Sequence, residues 1–231
     1  INVIGVLKDL NGVASANLHL QRGGSSKEII LPMFALNDST YEVSIHDSLV
    51  TINNFRAYVR GVDNVDNTGN SKSFYPSIIY GANELNTNID GSIYPDGVPS
   101  KKWRMISFPG SVNDSIINNA KGNGYTFYVW NNLEMSWDSP SVIKPGNAYW
   151  FKHIYDGPFP FKSDSGTVLP LIPYEIMLDQ GWNMIGNPFA ISANVLADSS
   201  EVSNLYFFGD STNRDGWEVS SFQMRPWAGY A

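Results

Sequence analysis

One string in this chain is written twice. Lys102–Ser111 reads KWRMISFPGS and Gly181–Ala190 reads GWNMIGNPFA, so Trp103 and Trp182 stand 79 positions apart (182 − 103), as do Pro109 and Pro188. The Met-Ile pairs at 105–106 and 184–185 keep that register. Downstream, TFYVW (Thr126–Trp130) is set opposite LYFFG (Leu205–Gly209) at the same offset; Trp137 then meets Trp217 at 80, and IKPGNAYW (Ile143–Trp150) meets MRPWAGYA (Met224–Ala231) at 81. A drift confined to turns is what a duplicated fold tolerates. Lengthening a loop costs little entropy, whereas a one-residue slip inside a strand sends every side chain to the other face.

Each copy reads alike. A strand carrying Trp-x-Met-Ile runs into a proline, which cannot continue a ladder. A stretch with helical spacing follows: Asn113–Ala120 in the first copy, capped by Ser111 or Asn113, and Ser192–Asp198 in the second. An aromatic strand, a turn and a Trp strand come next, and the second turn holds the hairpin dipeptide Asp215-Gly216. A Pro-x-x-x-Tyr turn enters the last strand. The copies are therefore expected at 102–152 and 181–231, with 153–180 as a connection of edge strands, and the two are expected to bury their aromatic faces together as one domain, 102–231.

The first third of the chain has a different period. Val3–Asp9, Ala16–Arg22, Tyr41–Asp47 and Phe55–Asp63 alternate apolar and polar residues, separated by turn-forming LNGV, RGGSS, LNDS and NVDNTGN. This predicts a small antiparallel β-sandwich over 1–80, with the polar, Gly- and Pro-punctuated stretch 81–101 as a linker. The fold class expected is all-β, with one short helix in each repeat.

These motifs carry two resemblances. ANLHLQRGG, followed by LPMFALNDSTYEVSIHDSLVTINNFRAYVRGVDNVDNTGN, resembles the fibronectin type III-like modules of large secreted bacterial proteins. The doubled GWNMIGNPF and KPGNAYW pattern resembles β-rich repeats near the C-terminal ends of Bacteroidetes-type surface and secreted proteins, where such repeats often precede a sorting domain for type IX secretion. Together they cover most of the chain. They imply an extracellular or cell-surface fragment of a larger protein, one that stops within its motif at PWAGYA.

Composition excludes several functions. A net charge of −7, with no Lys/Arg cluster larger than KKWR, argues against nucleic acid as a partner. There is no run of about 18 apolar residues, so no membrane insertion is expected. Cysteine is absent, which removes disulfides and thiolate chemistry. The three histidines, His19, His46 and His153, show no metal spacing, and no Gly-x-Ser-x-Gly elbow occurs.

What remains are three site hypotheses. Asp63 and Asp66, in the loop DNVDNTGN, could give a calcium ion oxygen ligands together with backbone carbonyls; no other cofactor is implied. Glu134 and Glu218, at corresponding places in the repeats, could form an acid pair, although solvated hairpin residues explain them as well. Seven Trp, twelve Tyr and twelve Phe could build a platform for sugar rings. Trp103 and Trp182, like Trp137 and Trp217, recur in both copies and are expected in the core. Trp150 and Trp227 break the correspondence and are the expected exposed stacking residues. The function that follows is a non-catalytic structural or adhesion segment, contacting other domains of its parent protein or copies of itself. The alternative is a carbohydrate-binding accessory module with a polysaccharide partner.

Overall fold

The computed structural model describes residues 1–113, 124–198, 200, 202–209 and 216–231. It is all-β, and its strands divide between two compact units. The first comprises Ile1–Ile78 with Pro170–Ile172; the second comprises Ile79–Leu169 with Pro173–Ala231.

The first unit holds β1 (Asn2–Val6), β2 (Val13–Arg22), β3 (Glu28–Pro32), β4 (Phe34–Ala35), β5 (Thr40–Ser44), β6 (Phe55–Asp63) and β7 (Thr68–Asn70). They form two antiparallel sheets, in the orders β3-β2-β6-β7 and β1-β5-β4. In β6 the alternation is complete: Phe55, Ala57, Val59, Gly61 and Asp63 are buried and the residues between them are not. Leu18 and Leu20 of β2 lie opposite Val59 and Ala57, and with Tyr41, Val43 and Ile45 they close one core. Each such buried side chain contributes about 1.5–3 kcal/mol.

β8 (Ile78–Tyr80) starts on the last residue of the first unit, and the second unit continues through β9 (Arg104–Ser107), β10 (Ser111–Val112), β11 (Tyr125–Asn131), β12 (Ser136–Asp138), β13 (Ala148–His153), β14 (Gly166–Val168), β15 (Ile185–Gly186), β16 (Ala193–Asn194), β17 (Leu205–Gly209), β18 (Gly216–Ser220), β19 (Gln223–Met224) and β20 (Gly229–Tyr230). The duplication is visible in topology. One four-stranded sheet runs β12-β11-β13-β9 and the other runs β18-β17-β20-β15, the same order built from equivalent strands.

The two copies meet reciprocally. Ile106 bridges to Ala228, and its counterpart Ile185 bridges to Asn147, the counterpart of Ala228. Ser107 N–H donates to Trp227 O (3.1 Å), and Gly186 N–H donates to Gly146 O (2.8 Å), which is the same bond with the copies exchanged. An interface in which i touches j and j touches i is isologous, so the repeats are related by an internal two-fold. The crossing is tight. A Cβ on Gly186 would overlap Ser107, and one on Gly229 would sit 2.7 Å from Ala148 Cβ.

The Pro-x-x-x-Tyr turns match as well. Lys144–Asn147 and Arg225–Ala228 are closed by equivalent 3.3 Å backbone hydrogen bonds, and the hydroxyls of Tyr149 and Tyr230 accept from Lys144 N–H (2.8 Å) and Arg225 N–H (2.9 Å). The residue after each proline is left-handed, with φ of 81° at Gly146 and 66° at Trp227. That geometry suits glycine and costs a bulky residue about 1–2 kcal/mol.

Three expectations need correction. Ser192–Asp198 is not helical: it contains the two-residue β16, paired with β19, and is otherwise irregular, so the backbone of Ala193 and Asn194 finds its partners across a sheet rather than along a helix. The first copy's helix, past Asn113, falls outside the described residues. The stretch 81–101 is not a linker but part of the second unit, with Leu85, Tyr94 and Val98 buried and Val98 bridged to Phe159. Likewise 153–180 supplies β14 and the buried Phe161 in addition to connecting the copies. Among the described residues no helix is long and apolar enough to cross a membrane.

Candidate functional site

Pairing dictates which rings face out. In the first repeat's sheet, Tyr128 lies opposite Trp150, which lies opposite Met105; Thr126 lies opposite Lys152; and Trp130 lies opposite Trp137. Paired residues share a face, so Trp103, Tyr128, Trp130, Trp137, Trp150 and Lys152 occupy one side. Phe127 and Phe151, one residue out of step, occupy the other side and are buried.

The second repeat builds the same face. Trp137 and Trp217 are equivalent and lie opposite Trp130 and Phe208, which makes Trp130 equivalent to Phe208 at an offset of 78 (208 − 130). The offset of 79 expected for this strand is therefore wrong by one residue. With the corrected register Tyr128 matches Tyr206, and the ring geometry agrees. Trp103–Tyr128 centroids are 5.7 Å apart and Trp182–Tyr206 5.6 Å; Trp130–Trp137 are 4.9 Å apart and Phe208–Trp217 5.4 Å.

The two sets join at Trp150, which lies 4.9 Å from Phe208 and 6.0 Å from Trp217 on one side and 6.5 Å from Trp137 on the other. Between them Trp103, Tyr128, Trp137, Trp150 and Phe208 line an open groove of about 560 Å³. Polar groups are few. Lys152 Nζ stands 5.7 Å from the Trp103 ring centre; Asn132 accepts from the Trp130 indole N–H (2.6 Å) and donates to Asn183 Oδ1 (3.3 Å), across the repeats.

Exposure reverses the expected assignment of the tryptophans. The repeated residues are the open ones: Trp103 36%, Trp137 52%, Trp182 63% and Trp217 48% exposed. Trp227, expected as a stacking residue, is 0% exposed. Its ring lies 5.6 Å from both Phe108 and Phe161, and its indole N–H donates to Asn86 O (2.8 Å). It is a core residue because the irregular stretch around Asn86, which belongs to neither repeat, reaches its indole. Trp150 is half-buried and lines the groove. Thus Trp103, Tyr128, Trp137 and Phe208 were missed. The signal for Tyr128 was the run Phe127-Tyr128-Val129-Trp130, which places large rings on both faces of one strand.

Asp63 and Asp66 sit in different surroundings. Asp63 is buried, and its carboxylate accepts from Val65 N–H (2.9 Å), Asn67 N–H (2.7 Å), Asn67 Nδ2 (2.9 Å) and Asn11 Nδ2 (3.4 Å). These bonds, led by that from the Asn67 amide, hold its pKa below the ordinary carboxylate value. Asp66 is exposed, with a left-handed φ of 68°. This carboxylate organises a turn, and among the described residues no three His, Asp or Glu side chains gather to hold a metal. Glu134 lies in the β11–β12 turn and Glu218 on β18 opposite Phe207. Asp215, of the expected hairpin dipeptide, lies outside the described residues.

His19 and His153 serve packing, whereas the exposed His46 caps a short 3-10 turn and accepts from Ser48 N–H (3.2 Å). His19 stacks on Tyr58 (4.8 Å) and its Nδ1 is 2.9 Å from Glu28, whose pKa that hydrogen bond lowers. His153, fully buried, gives Nε2–H to Val98 O (2.8 Å). The sequence matches no family model, no curated protein and no solved structure.

Proposed function

We propose that this chain is a non-catalytic adhesion segment of a larger secreted or cell-surface protein, and that its adhesive ligand is a polysaccharide. The observation that carries this reading is the aromatic face of the second unit. Exposed indole rings standing on rigid strands, with amides beside them, suit sugar rings, whose C–H faces pack on flat π-surfaces while hydroxyls bond to polar neighbours. Exposed rings of this extent are uncommon on a surface without a partner. The first unit's seven strands, split four and three, support a fibronectin type III-like sandwich that spaces the binding unit within its parent, in line with the resemblances in the sequence.

The test is retention on insoluble cellulose, chitin and xylan, and retardation in gels containing soluble polysaccharides. Wild type is expected to bind at least one, and Trp137→Ala and Trp150→Ala to weaken that binding while remaining folded. Wild-type passage through all of them would refute the reading. Concentration-dependent self-association that Trp137→Ala abolishes would instead favour assembly of copies through the same rings.

A further inference from the structure

We infer that the aromatic face is two copies of one glycan subsite, related by the internal two-fold and sharing Trp150, and that it takes uncharged polysaccharide. This rests on the polysaccharide reading above. Trp103, Tyr128, Trp130 and Trp137 form one subsite; Trp182, Tyr206, Phe208 and Trp217 form the other, with matching ring separations.

Duplication alone does not require this. A fold written twice needs its core twice, and Tyr149 and Tyr230 are both buried accordingly. Nothing in packing demands that the exposed rings be kept in both copies, because a polar residue at 137 or 217 would leave the interior untouched. Retention of open rings at equivalent places points to a shared task. The copies differ at the joint: Trp150, which touches rings of both subsites, has Ala231 as its counterpart.

The two-fold has a consequence for the ligand. It sets the subsites head to head, so one directional chain does not engage both in the same sense, and each subsite holds its own short stretch. Binding is then bivalent, and affinity for a polymer gains from the second contact through effective concentration. Charge sets the class. Asp138 and Glu218 pair with Val129 and Phe207 and so lie on the opposite face, Lys152 is the one cation described beside the rings, and the chain carries a net charge of −7, which repels acidic glycans.

Equilibrium dialysis with cellotriose, xylotriose and chitotriose counts the subsites directly. For the trisaccharide that binds, two sites per chain are expected in wild type, one in Trp137→Ala, one in Trp217→Ala and none in the double variant. Trp137→Phe and Trp217→Phe, which keep a ring, are expected to retain two. Retardation by the matching soluble polymer falls by about tenfold or more in either alanine variant, as avidity is lost. A single site in wild type, or a single variant that abolishes all binding, overturns the two-subsite inference and leaves the polysaccharide reading standing. Absence of both trisaccharide and polymer binding in wild type overturns both.

Discussion

Replacing Trp227 separates the core tryptophan from the exposed ones. Its side chain is fully buried against Phe108 and Phe161, so truncation to alanine removes the contacts of a large ring and leaves a cavity, at about 3–5 kcal/mol. Loss of the indole hydrogen bond to Asn86 O adds about 1 kcal/mol. The sum, about 4–6 kcal/mol, is comparable with the whole stability of a domain. The backbone supplies an internal control. At φ 66° a glycine escapes the Cβ strain that alanine retains, so Trp227→Gly is expected to be more stable than Trp227→Ala by about 1 kcal/mol, the reverse of the usual order. All seven tryptophans lie in the second unit, so indole emission during a urea titration follows that unit alone. With a slope of about 2 kcal/mol per molar urea, the alanine midpoint falls by about 2–3 M. A midpoint within about 0.5 M of wild type, or an alanine variant more stable than the glycine one, would refute the burial argument.

Other outcomes follow from the same geometry. Trp137→Ala, at an exposed ring, is expected to change stability by less than about 1 kcal/mol in the same titration. Tyr149→Phe and Tyr230→Phe each remove a hydroxyl that accepts an equivalent backbone N–H, and should cost the same, about 1–2 kcal/mol; clearly unequal costs in urea melts would argue against the two-fold. Gly186→Ser forces a side chain onto Ser107 and is expected to destabilise by about 1–3 kcal/mol, while the exchange Ser107→Gly with Gly186→Ser recovers most of that loss. Asp63 has a depressed pKa when folded, so its contribution is present above the ordinary carboxylate value, near 4, and is lost as pH falls through the folded value. Denaturation of the first unit measured from pH 7 to pH 2 should show an acid limb that Asp63→Asn flattens.

The sequence made the β-rich class, the alternation of β6 and the duplication legible because each is a periodic pattern that backbone geometry enforces. The equivalence of Pro145 with Pro226, and of Tyr149 with Tyr230, was readable from the Pro-x-x-x-Tyr turn alone. The exposure of Trp103 and Trp182 was not, because recurrence shows that a position is needed and alternation shows only which residues share a face; which face is covered depends on chain that arrives from elsewhere. For Trp227 that chain is the stretch around Asn86, whose Asn-, Gly- and Asp-rich composition resembles a linker even though Leu85 and Val98 anchor it. The one-residue error at Leu205–Gly209 arose because the hydrophobic string alone aligns equally well in either register. Cross-strand pairing of Phe208 with Trp217 decides between them.

The most direct test of the account is an NMR titration of the seven indole N–H signals with the polysaccharide fragments that the native chain retains. The signals of Trp103, Trp137, Trp150, Trp182 and Trp217 are expected to shift along one binding curve, with Trp227 unmoved. Shifts confined to Trp227, or none among the exposed indoles at saturating glycan, would contradict it.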